Sequence, residues 1–312
     1  MGKNILLLGA TGTIGRATAA ALVDAGHQVT CVLRRVPEPA IEGCAVLIRD
    51  LAKMDLARGT YDTVVSCIAS RTGAPKDAWL VDHDVQLSAL TQAQEAGITQ
   101  FILLSAICVQ KPKLAFQQAK LAFEAKLMAA NLTWTIVRPT AFFKSLSGQI
   151  ERVRAGKPYL VFGDGTLTAC KPISDADLGR FIATCVDDPS KTNKVLPIGG
   201  PGPAMTPLDQ GHALFEVFGR EPKFKHVPVA VISTIIKALS LAGLVSSKAR
   251  EKSELARIGH YYATESMLVW DTETQTYNAE MTPEFGSDRL EEHFRKAKDG
   301  KIEDNRGAHA VF

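Results

Sequence analysis

The stretch that decides the fold is "NILLLGATGTIGRATAAALVDAG", residues 4–26. An apolar run typical of a buried parallel strand leads into a glycine-rich turn and then into a helix that ends at Gly26. Gly9 permits a tight turn, Gly12 lets the backbone approach a pyrophosphate, and Gly15 lets the helix pack closely on the strand. The helix N-terminus would face the phosphate charge. The stretch therefore predicts a dinucleotide site, with a ligand-free glycine turn as the alternative.

Strands and helices alternate along the rest of the chain. Strand-like runs are "HQVTCVLRR", "CAVLIRD", "YDTVVSCIASR", "QFILLSA", "TWTIVRP" and "NKVLPIGG", and helical stretches cover residues 77–96 and 113–130. This alternation predicts an α/β fold with a Rossmann-type doubly wound parallel sheet. We expect an NADP-binding Rossmann domain over residues 1–158, with residues 171–200 returning to the sheet. A smaller C-terminal substrate-binding region would comprise residues 201–312 together with 159–170.

The end of the second strand-like run indicates which dinucleotide binds. An NAD site usually has an acidic residue there for the ribose 2′-hydroxyl, whereas Arg34 and Arg35 suit the 2′-phosphate of NADP. The alternative is a pair of surface arginines that only closes a strand. Asp50 and Leu51 follow the third run and are placed to flank the adenine. The predicted cofactor-binding residues are Gly9, Thr11, Gly12, Thr13, Ile14, Gly15, Arg34, Arg35, Asp50, Leu51, Ala69, Ser70, Arg71, Ser105, Lys120, Pro139, Thr140 and Phe142.

The composition limits the classes of function. The chain has 312 residues, 46% of them hydrophobic, and 36 basic residues against 33 acidic ones, which is too balanced to favour a nucleic-acid partner. The six cysteines have no CxxC spacing, so buried free thiols in a reducing compartment are expected. No histidine cluster has metal-ligand spacing, so no protein-bound metal is expected. With no signal or transit peptide before the first strand, we expect a bacterial cytoplasmic protein.

One apolar segment, residues 227–245, approaches the length of a membrane span. Lys237 lies at its middle, which argues against a span. Helical spacing indicates a buried or interfacial amphipathic helix, whose apolar face would hold Ile232, Ile235, Ile236 and Leu239. Contact with a membrane surface and an apolar lid over a large hydrophobic ligand both remain open.

The fifth and sixth runs are each followed by residues suited to catalysis. Ser105 ends "QFILLSA", Phe116 and Lys120 are four residues apart in "AFQQAK", and "TAFFK" follows the sixth run. This ordering resembles the short-chain dehydrogenase/reductase superfamily in its atypical, NmrA-like branch. In most members a serine, a tyrosine and a lysine cooperate, and the lysine also holds the nicotinamide ribose. Ser105 and Lys120 match this set, but Phe116 stands where the tyrosine is expected and cannot donate a proton.

Longer blocks within residues 66–224 narrow the resemblance. "LLSAICVQKP", "FQQAKLAFEAKL", "TIVRPTAFFKSLSGQ", "YLVFGDG" and "ACKPIS" are similar to the NADPH-dependent 8-vinyl reductases of divinyl chlorophyllide a. The usual "SWxIDY" of that family stands here as "AWLVDHD", with His83 in place of a tyrosine. The resemblance implies NADPH-dependent reduction of the C8 vinyl group of a divinyl chlorophyllide or protochlorophyllide to ethyl, in chlorophyll or bacteriochlorophyll biosynthesis.

Such a reaction forms no alkoxide, so a tyrosine donor has no obvious task. The site would need a flat apolar slot and a proton directed at carbon. The resemblance implies catalytic residues Lys120, Ser105 and Phe116 and substrate-binding residues Phe116, Phe142, Phe143 and Lys144. Lys120 would hold the ribose and relay a proton, with Lys144, Lys111 and Cys108 as other donors. Ordinary core packing is the alternative for the three phenylalanines.

Other functions remain open on the sequence. An NmrA-like sensor would bind NADP(H) without turnover and would also lack the tyrosine. A structural dinucleotide-binding subunit, or an isoflavone-reductase-like ene or ether reductase, would share the glycine loop. We favour the vinyl reductase because it accounts for the long blocks.

Overall fold

The computed structural model describes residues 2–51, 56–243 and 246–302. Its strands are β1 (Asn4–Leu8), β2 (Gln28–Leu33), β3 (Cys44–Ile48), β4 (Thr63–Ser66), β5 (Gln100–Leu104), β6 (Thr133–Pro139), β7 (Tyr159–Phe162), β8 (Lys194–Ile198), β9 (Phe224–Val227), β10 (Val269–Asp271) and β11 (Thr276–Asn278). Seven of them form one parallel sheet in the order β3-β2-β1-β4-β5-β6-β8. This arrangement confirms the predicted doubly wound α/β fold.

The α-helices of the described residues are α1 (Thr13–Asp24), α2 (Pro75–Ala78), α3 (Gln86–Glu95), α4 (Ala115–Met128), α5 (Ile150–Arg154), α6 (Asp175–Asp187), α7 (Pro207–Phe218), α8 (Val229–Ala242), α9 (Ser247–Thr264) and α10 (Leu290–Lys298). A π-helical segment, Trp79–Val85, joins α2 to α3 without a break. Short 3₁₀ segments follow two strands of the main sheet: Ile107–Gln110 comes after β5, and Phe143–Gln149 comes after β6.

Helices cover both faces of the main sheet, which explains why its strands are continuous apolar runs. Ile5, Leu6, Leu7 and Leu8 are all completely buried. Residues of α1 and α6 pack on one face of the sheet and residues of α3 and α4 on the other. The strand order reverses between β1 and β4, and a doubly wound sheet opens its ligand crevice at the carboxyl ends of such strands.

The C-terminal part adds two small sheets and a pair of helices. β7 pairs with β9, and β10 forms an antiparallel hairpin with β11. β8 belongs to the main sheet, beside β6. These pairings agree with a chain that leaves the main sheet, returns to it and leaves it again. The division into two domains at residues 158, 171 and 200 remains a prediction.

Helix α8 packs against α9 but buries little of its own surface. Ile232 is 8% exposed, whereas Ile235, expected on the same buried face, is 48% exposed. The exposure of Ile235 agrees with the interfacial alternative and not with a fully buried helix. The contacts between α8 and α9 include polar groups, such as the 2.8 Å hydrogen bond between the hydroxyls of Ser240 and Ser253. Leu244 and Val245, at the end of the apolar segment, lie outside the described residues. No helix within the described ranges is long and apolar enough to cross a membrane.

Candidate active site

The glycine-rich turn lies at the carboxyl end of β1. Gly9 has a φ of +83°, and a Cβ there would lie 2.7 Å from the carbonyl carbon of Cys67. A Cβ on Gly15 would lie 2.1 Å from the carbonyl oxygen of Gly9. At Gly12 a Cβ would meet only that same oxygen, at 3.4 Å. Gly9 and Gly15 are therefore needed for the fold, whereas Gly12 leaves open space in front of α1.

The loop offers an anion the first turn of α1. Thr11, Gly12 and Thr13 are exposed, while Ile14 and Gly15 are buried. Gly12 is the N-cap residue and has no side chain, so no side-chain hydrogen bond caps the N–H groups of the first turn. Such groups bind phosphate through hydrogen bonds and through the helix dipole. The residues therefore fit the pyrophosphate of a dinucleotide.

The adenosine end of the site would lie beyond β2 and β3. Arg34 and Arg35 are exposed directly after β2. Within the described ranges, neither guanidinium makes a hydrogen bond or an ion pair, so both can meet a phosphate. Asp50 is exposed, and the carbonyl of Leu51 accepts a hydrogen bond from Gln92 at 3.4 Å. Both residues follow β3, as expected for neighbours of the adenine.

A buried carboxylate links the end of β4 to helix α4. Asp82, from the π-helical segment, is 2% exposed and accepts hydrogen bonds from the backbone N–H and the hydroxyl of Ser70, at 3.2 and 2.6 Å. It also forms an ion pair with Lys120, whose Nζ lies 2.9 Å from Oδ1. Ala69 and Arg71, on either side of Ser70, are exposed. The structure therefore brings the predicted residues Ser70 and Lys120 together through Asp82.

Ser105 belongs to a second buried network. Its hydroxyl donates to the carboxylate of Glu124, which is completely buried and forms an ion pair with Arg138. Ser105 is 5% exposed. The Ser105 hydroxyl is thus occupied by Glu124, and the network joins the end of β5 to α4 and β6. A positional role therefore fits Ser105 better than direct contact with a substrate.

Phe116 lies under the C-terminal part of the chain. Its ring is 9% exposed and packs with Cys108, Ile258 and Tyr261, among other apolar side chains. The Tyr261 hydroxyl donates to the carbonyl of Cys108 at 2.8 Å, which fastens α9 over the loop that follows β5. Phe116 thus packs α4 against α9 within a buried apolar cluster, as ordinary core packing would, and its role as a slot wall remains a prediction.

The residues that follow β6 are divided between core and crevice. Phe143 is 4% exposed and packs in the core formed by α5, α7 and α10, so ordinary core packing describes it better than a substrate wall. Phe142 is only partly buried, against the core beneath α6. Pro139 and Thr140 are both buried, and the Thr140 hydroxyl donates to the carbonyl of Lys171.

The other suggested proton donors have partners of their own. Lys111 forms a 3.0 Å ion pair with Glu265 and lies over the ring of Trp270, 3.9 Å from its centre. Burial raises the pKa of the Cys108 thiol. Lys144 donates to the Thr13 hydroxyl at 3.0 Å. Lys120 has a partner as well, Asp82, so these contacts do not choose among the suggested donors, and Lys120 as the donor remains a prediction.

The tyrosine position that His83 replaces is on the π-helical segment. His83 Nδ1 lies 2.8 Å from Asp84 Oδ1, and its ring contacts Trp79. Trp79 and Leu80 are 41% and 53% exposed.

The described residues contain no group of histidine, cysteine and acidic side chains that could hold a metal ion, and all six cysteines are free thiols.

Sequence reasoning missed two acidic residues that organise the site, Asp82 and Glu124. Both lie on helices in positions that a pattern would assign to a solvated face. An available indication was that each carboxylate directly follows a run of apolar or small residues, in "AWLVD" and "LAFE". In sequence, Asp82 is 12 residues from Ser70 and 38 from Lys120. Glu124 is 14 residues from Arg138 and 19 from Ser105. No regular helix or strand spacing connects such positions, so the sequence did not indicate these pairs.

Comparison with known proteins identifies the family of this chain. A family model described as NAD(P)H-binding matches residues 9–189. The protein named divinyl chlorophyllide a 8-vinyl-reductase, chloroplastic, of Arabidopsis thaliana is 45% identical, over 94% of this chain and 76% of that protein. The protein of the same name from Oryza sativa subsp. indica is 45% identical, over 99% of this chain and 82% of its own. Photosystem II assembly factor Ycf39 of Synechocystis sp. is 24% identical, over 73% of this chain and 72% of its own.

Solved structures share the fold. The epimerase Mth375 of Methanothermobacter thermautotrophicus superposes with a TM-score of 0.69 over 96% of this chain and 94% of its own, at 15% identity. UDP-glucuronic acid 4-epimerase of Bacillus cereus, in complex with UDP-glucuronic acid and NAD, has a TM-score of 0.61 over 72% of this chain and 86% of its own, at 19% identity. At such identity the likeness supports the Rossmann-type fold alone.

Proposed function

This chain belongs to the divinyl chlorophyllide a 8-vinyl reductase family, and we propose that it uses NADPH to reduce the C8 vinyl group of a 3,8-divinyl chlorophyllide or protochlorophyllide to ethyl. The observation that carries the proposal is the 45% identity to the Arabidopsis thaliana reductase over 94% of the chain. That match includes the C-terminal region, which a bare dinucleotide-binding unit would not need. A sensor without turnover, a structural subunit and an isoflavone-type reductase are not favoured.

NADPH supplies a hydride, and the chain must hold the dinucleotide in place. The turn at Gly9 and Gly12 and the first turn of α1 would bind the pyrophosphate. Arg34 and Arg35 would bind the 2′-phosphate, and Asp50 and Leu51 would flank the adenine. These assignments fit the exposure of Gly12 and of both arginines.

The reacting group of the substrate is a carbon–carbon double bond, so no oxygen becomes charged. Negative charge that develops at the vinyl group is spread over the conjugated macrocycle, and the proton must reach carbon. An apolar wall suits a flat macrocycle better than a phenol does, which is consistent with Phe116 in the tyrosine position. Orientation of the vinyl group against the nicotinamide would supply most of the catalysis.

Lys120 would act as a positioning group and a route for the proton. Its side chain is 11% exposed, and its ammonium is fixed by Asp82 beside Ser70, at the carboxyl end of β4. From there it would hold the nicotinamide ribose hydroxyls and pass a proton through them or through water. Ser105 would hold α4, the helix that carries Phe116, through its hydrogen bond to Glu124, and would not contact the substrate.

The decisive experiment is anaerobic incubation of the full chain with NADPH and divinyl chlorophyllide a, followed by absorbance spectroscopy. Conversion of vinyl to ethyl shortens the conjugation, so the Soret band should move to shorter wavelength. Parallel assays with divinyl protochlorophyllide would show which substrate is preferred. An unmoved Soret band together with tight NADPH binding would overturn the reductase and favour a sensor.

We also propose that α8 contacts an anionic membrane surface. Val231, Ile235 and Leu241 are 44%, 48% and 71% exposed along one side of the helix. Exposed cationic side chains accompany them, at Lys237 on α8 and at Lys248, Arg250 and Lys252 on α9. Aliphatic side chains combined with lysines and arginines suit an anionic bilayer, whereas the like charges would oppose pairing with a second copy.

Co-sedimentation with phospholipid vesicles tests this contact. Vesicles containing an anionic lipid should pellet the protein, neutral vesicles should do so less, and Ile235→Glu with Leu241→Glu should abolish the effect. Val36→Glu, at a 74% exposed position after β2, is the control. Equal pelleting of all variants would overturn the proposal.

The relatives are named as chloroplastic, so a bacterial cytoplasmic location for this chain is likewise a proposal, tested by fractionation of the source cells.

A further inference from the structure

Lys144 and Thr13 meet at the first turn of α1, and Asp175 lies near enough to Lys144 for their charges to interact. Lys144 comes from the 3₁₀ segment after β6, Thr13 opens α1, and Asp175 opens α6. The Lys144 ammonium donates to the Thr13 hydroxyl at 3.0 Å. Lys144 is separated from Thr13 by 131 residues of sequence, so the fold alone brings it to the phosphate-binding turn.

The position of Lys144 is set by a short parallel pairing. Phe142 bridges Ile173, and the N–H of Phe143 donates to the carbonyl of Ile173 at 3.1 Å. Beyond this bridge the two segments continue into the 3₁₀ segment that holds Lys144 and into α6, which begins at Asp175. The Lys144 side chain is partly buried there and so is not a freely moving surface lysine.

Asp175 carries a buried oxygen without a partner. Its Oδ1 atom makes no hydrogen bond within the described residues. Burial raises the pKa of this carboxyl group, and the nearby charge of Lys144 lowers it in part. An anion held at α1 would repel this carboxylate, and a cation beside both would offset the repulsion. The Lys144 ammonium would therefore allow the Asp175 carboxylate to lie near a bound phosphate.

The phosphate-binding turn has no cation of its own that faces it. Within residues 9–16 the one basic residue is Arg16, and its guanidinium donates to the carbonyls of Pro39 and Ala40 at 3.1 and 3.5 Å. A pyrophosphate at this turn would otherwise rely on N–H groups and the helix dipole alone. A lysine ammonium is a compact charge well suited to phosphate oxygens.

We propose that Lys144 is the cationic arm of the dinucleotide pyrophosphate subsite, and that it exchanges its hydrogen bond to Thr13 for one to a phosphate oxygen when the cofactor binds. Lys144 then serves the cofactor rather than the tetrapyrrole. The inference rests on NAD(P)H binding and not on vinyl reduction, so the two can fail separately.

Fluorescence titration of the full-length protein with NADPH tests the subsite without any tetrapyrrole. Lys144→Met should raise the Kd about tenfold or more, the loss expected for one charge-assisted hydrogen bond. Lys144→Arg should retain most of the affinity, and the salt dependence of binding should be shallower in Lys144→Met. Lys157→Met removes an exposed lysine elsewhere and should change neither quantity.

Two fragments of the cofactor locate the effect. The Kd of 2′-phospho-ADP-ribose, which contains the pyrophosphate, should rise in Lys144→Met as that of NADPH does. The Kd of adenosine 2′-monophosphate, which lacks it, should stay unchanged. An unchanged NADPH Kd in a folded Lys144→Met protein would overturn the inference. So would equal weakening of both fragments, because that would indicate general damage to the site.

Discussion

Lys120 Nζ lies 2.9 Å from Oδ1 of Asp82, a carboxylate whose side chain is completely buried. The same carboxylate holds the N–H and hydroxyl of Ser70. A lysine whose carboxylate partner is buried keeps its ammonium in one place, which a ribose-binding group requires. The pair also joins the end of β4 to α4, so it affects stability as well as binding.

Removing the carboxylate should destabilise the fold. Asp82→Ala leaves the Lys120 ammonium and the Ser70 groups without their partner, and loss of one member of a buried ion pair costs about 3–5 kcal/mol. Urea unfolding followed by circular dichroism measures the change. Asp84→Ala is the matched control, because its side chain is 63% exposed and pairs with His83 at the surface. Its effect should stay below about 1 kcal/mol, and equal effects of the two variants would contradict the prediction.

Lys120→Ala should weaken NADPH binding about tenfold, because a charged donor to the ribose is lost. It should also destabilise the protein, since Asp82 is left buried and unpaired. The double variant Asp82→Asn, Lys120→Met separates these effects. It removes both charges and should recover much of the unfolding free energy, while NADPH affinity stays weak. Fluorescence titration and urea unfolding provide the two readouts. Turnover and NADPH affinity at the level of the unmodified protein in Lys120→Ala would contradict the role.

Phe116→Tyr should not raise the rate of vinyl reduction, although it restores the residue expected in the superfamily pattern. The ring is 9% exposed among apolar side chains, and a hydroxyl buried there without a partner costs about 1–3 kcal/mol. Initial rates with divinyl chlorophyllide and NADPH measure the effect. Phe123→Tyr, in a completely buried position of the other core, controls for stability loss alone. A several-fold faster Phe116→Tyr enzyme would show that a phenolic proton is useful after all.

Gly12→Ala and Gly9→Ala should separate binding from folding. At Gly12 the backbone is extended, with φ −74° and ψ 162°, and a Cβ meets only one oxygen at 3.4 Å. The fold should therefore keep its stability to within about 0.5 kcal/mol, while the methyl group obstructs the pyrophosphate and raises the NADPH Kd. Gly9→Ala forces a Cβ into the backbone of Cys67 at a φ of +83° and should destabilise the protein itself. Equal NADPH affinity in Gly12→Ala would contradict the assignment.

The sequence was sufficient for the fold and for the dinucleotide turn, because both depend on local patterns. Continuous apolar runs such as Ile5 to Leu8 belong to strands covered on both faces, and the glycines near β1 act within a few residues of each other. The wall residues were less predictable. Phe142 and Phe143 are adjacent in sequence, yet one lies at the edge of a core and the other inside it. Only the packing of α5, α7 and α10 distinguishes them.

Long-range ion pairs were beyond the sequence for a physical reason. A carboxylate on a helix is usually solvated, and no spacing rule relates Asp82 to Ser70 or Glu265 to Lys111 and Tyr277. Glu265 shows what was missed. It is buried at the end of α9 and binds Lys111, Lys113 and Tyr277, which fastens the helix that covers Phe116 to the loop after β5. Such contacts exist only once the C-terminal elements have folded over the sheet.

Stability should depend on pH through Glu265. Burial alone would raise the pKa of this carboxyl group, but hydrogen bonds from Lys113, Tyr277 and Lys111 outweigh it and lower the pKa from 4.5 to about 2. Because the folded pKa is below the unfolded one, the contribution is present above about pH 4.5 and is lost as the pH falls toward 2. Glu265→Gln should therefore lower the unfolding free energy at pH 7, with the difference from the unmodified protein shrinking below pH 4.5. Urea unfolding across this range measures it, and a difference independent of pH would contradict the prediction.

Arg34 and Arg35 should decide between NADPH and NADH. Both are exposed after β2, where the 2′-substituent of the ribose is expected, and a charge-assisted hydrogen bond to phosphate is worth about 1.5–3 kcal/mol. The double variant Arg34→Ala, Arg35→Ala should therefore raise the Kd for NADPH about tenfold to a hundredfold and leave that for NADH nearly unchanged. Fluorescence titration with both dinucleotides gives the ratio. Arg58→Ala removes an exposed arginine before β4, at the opposite end of the sheet, and should leave the ratio as it is. If the double variant binds both dinucleotides equally less well, the arginines support the fold and not the 2′-phosphate.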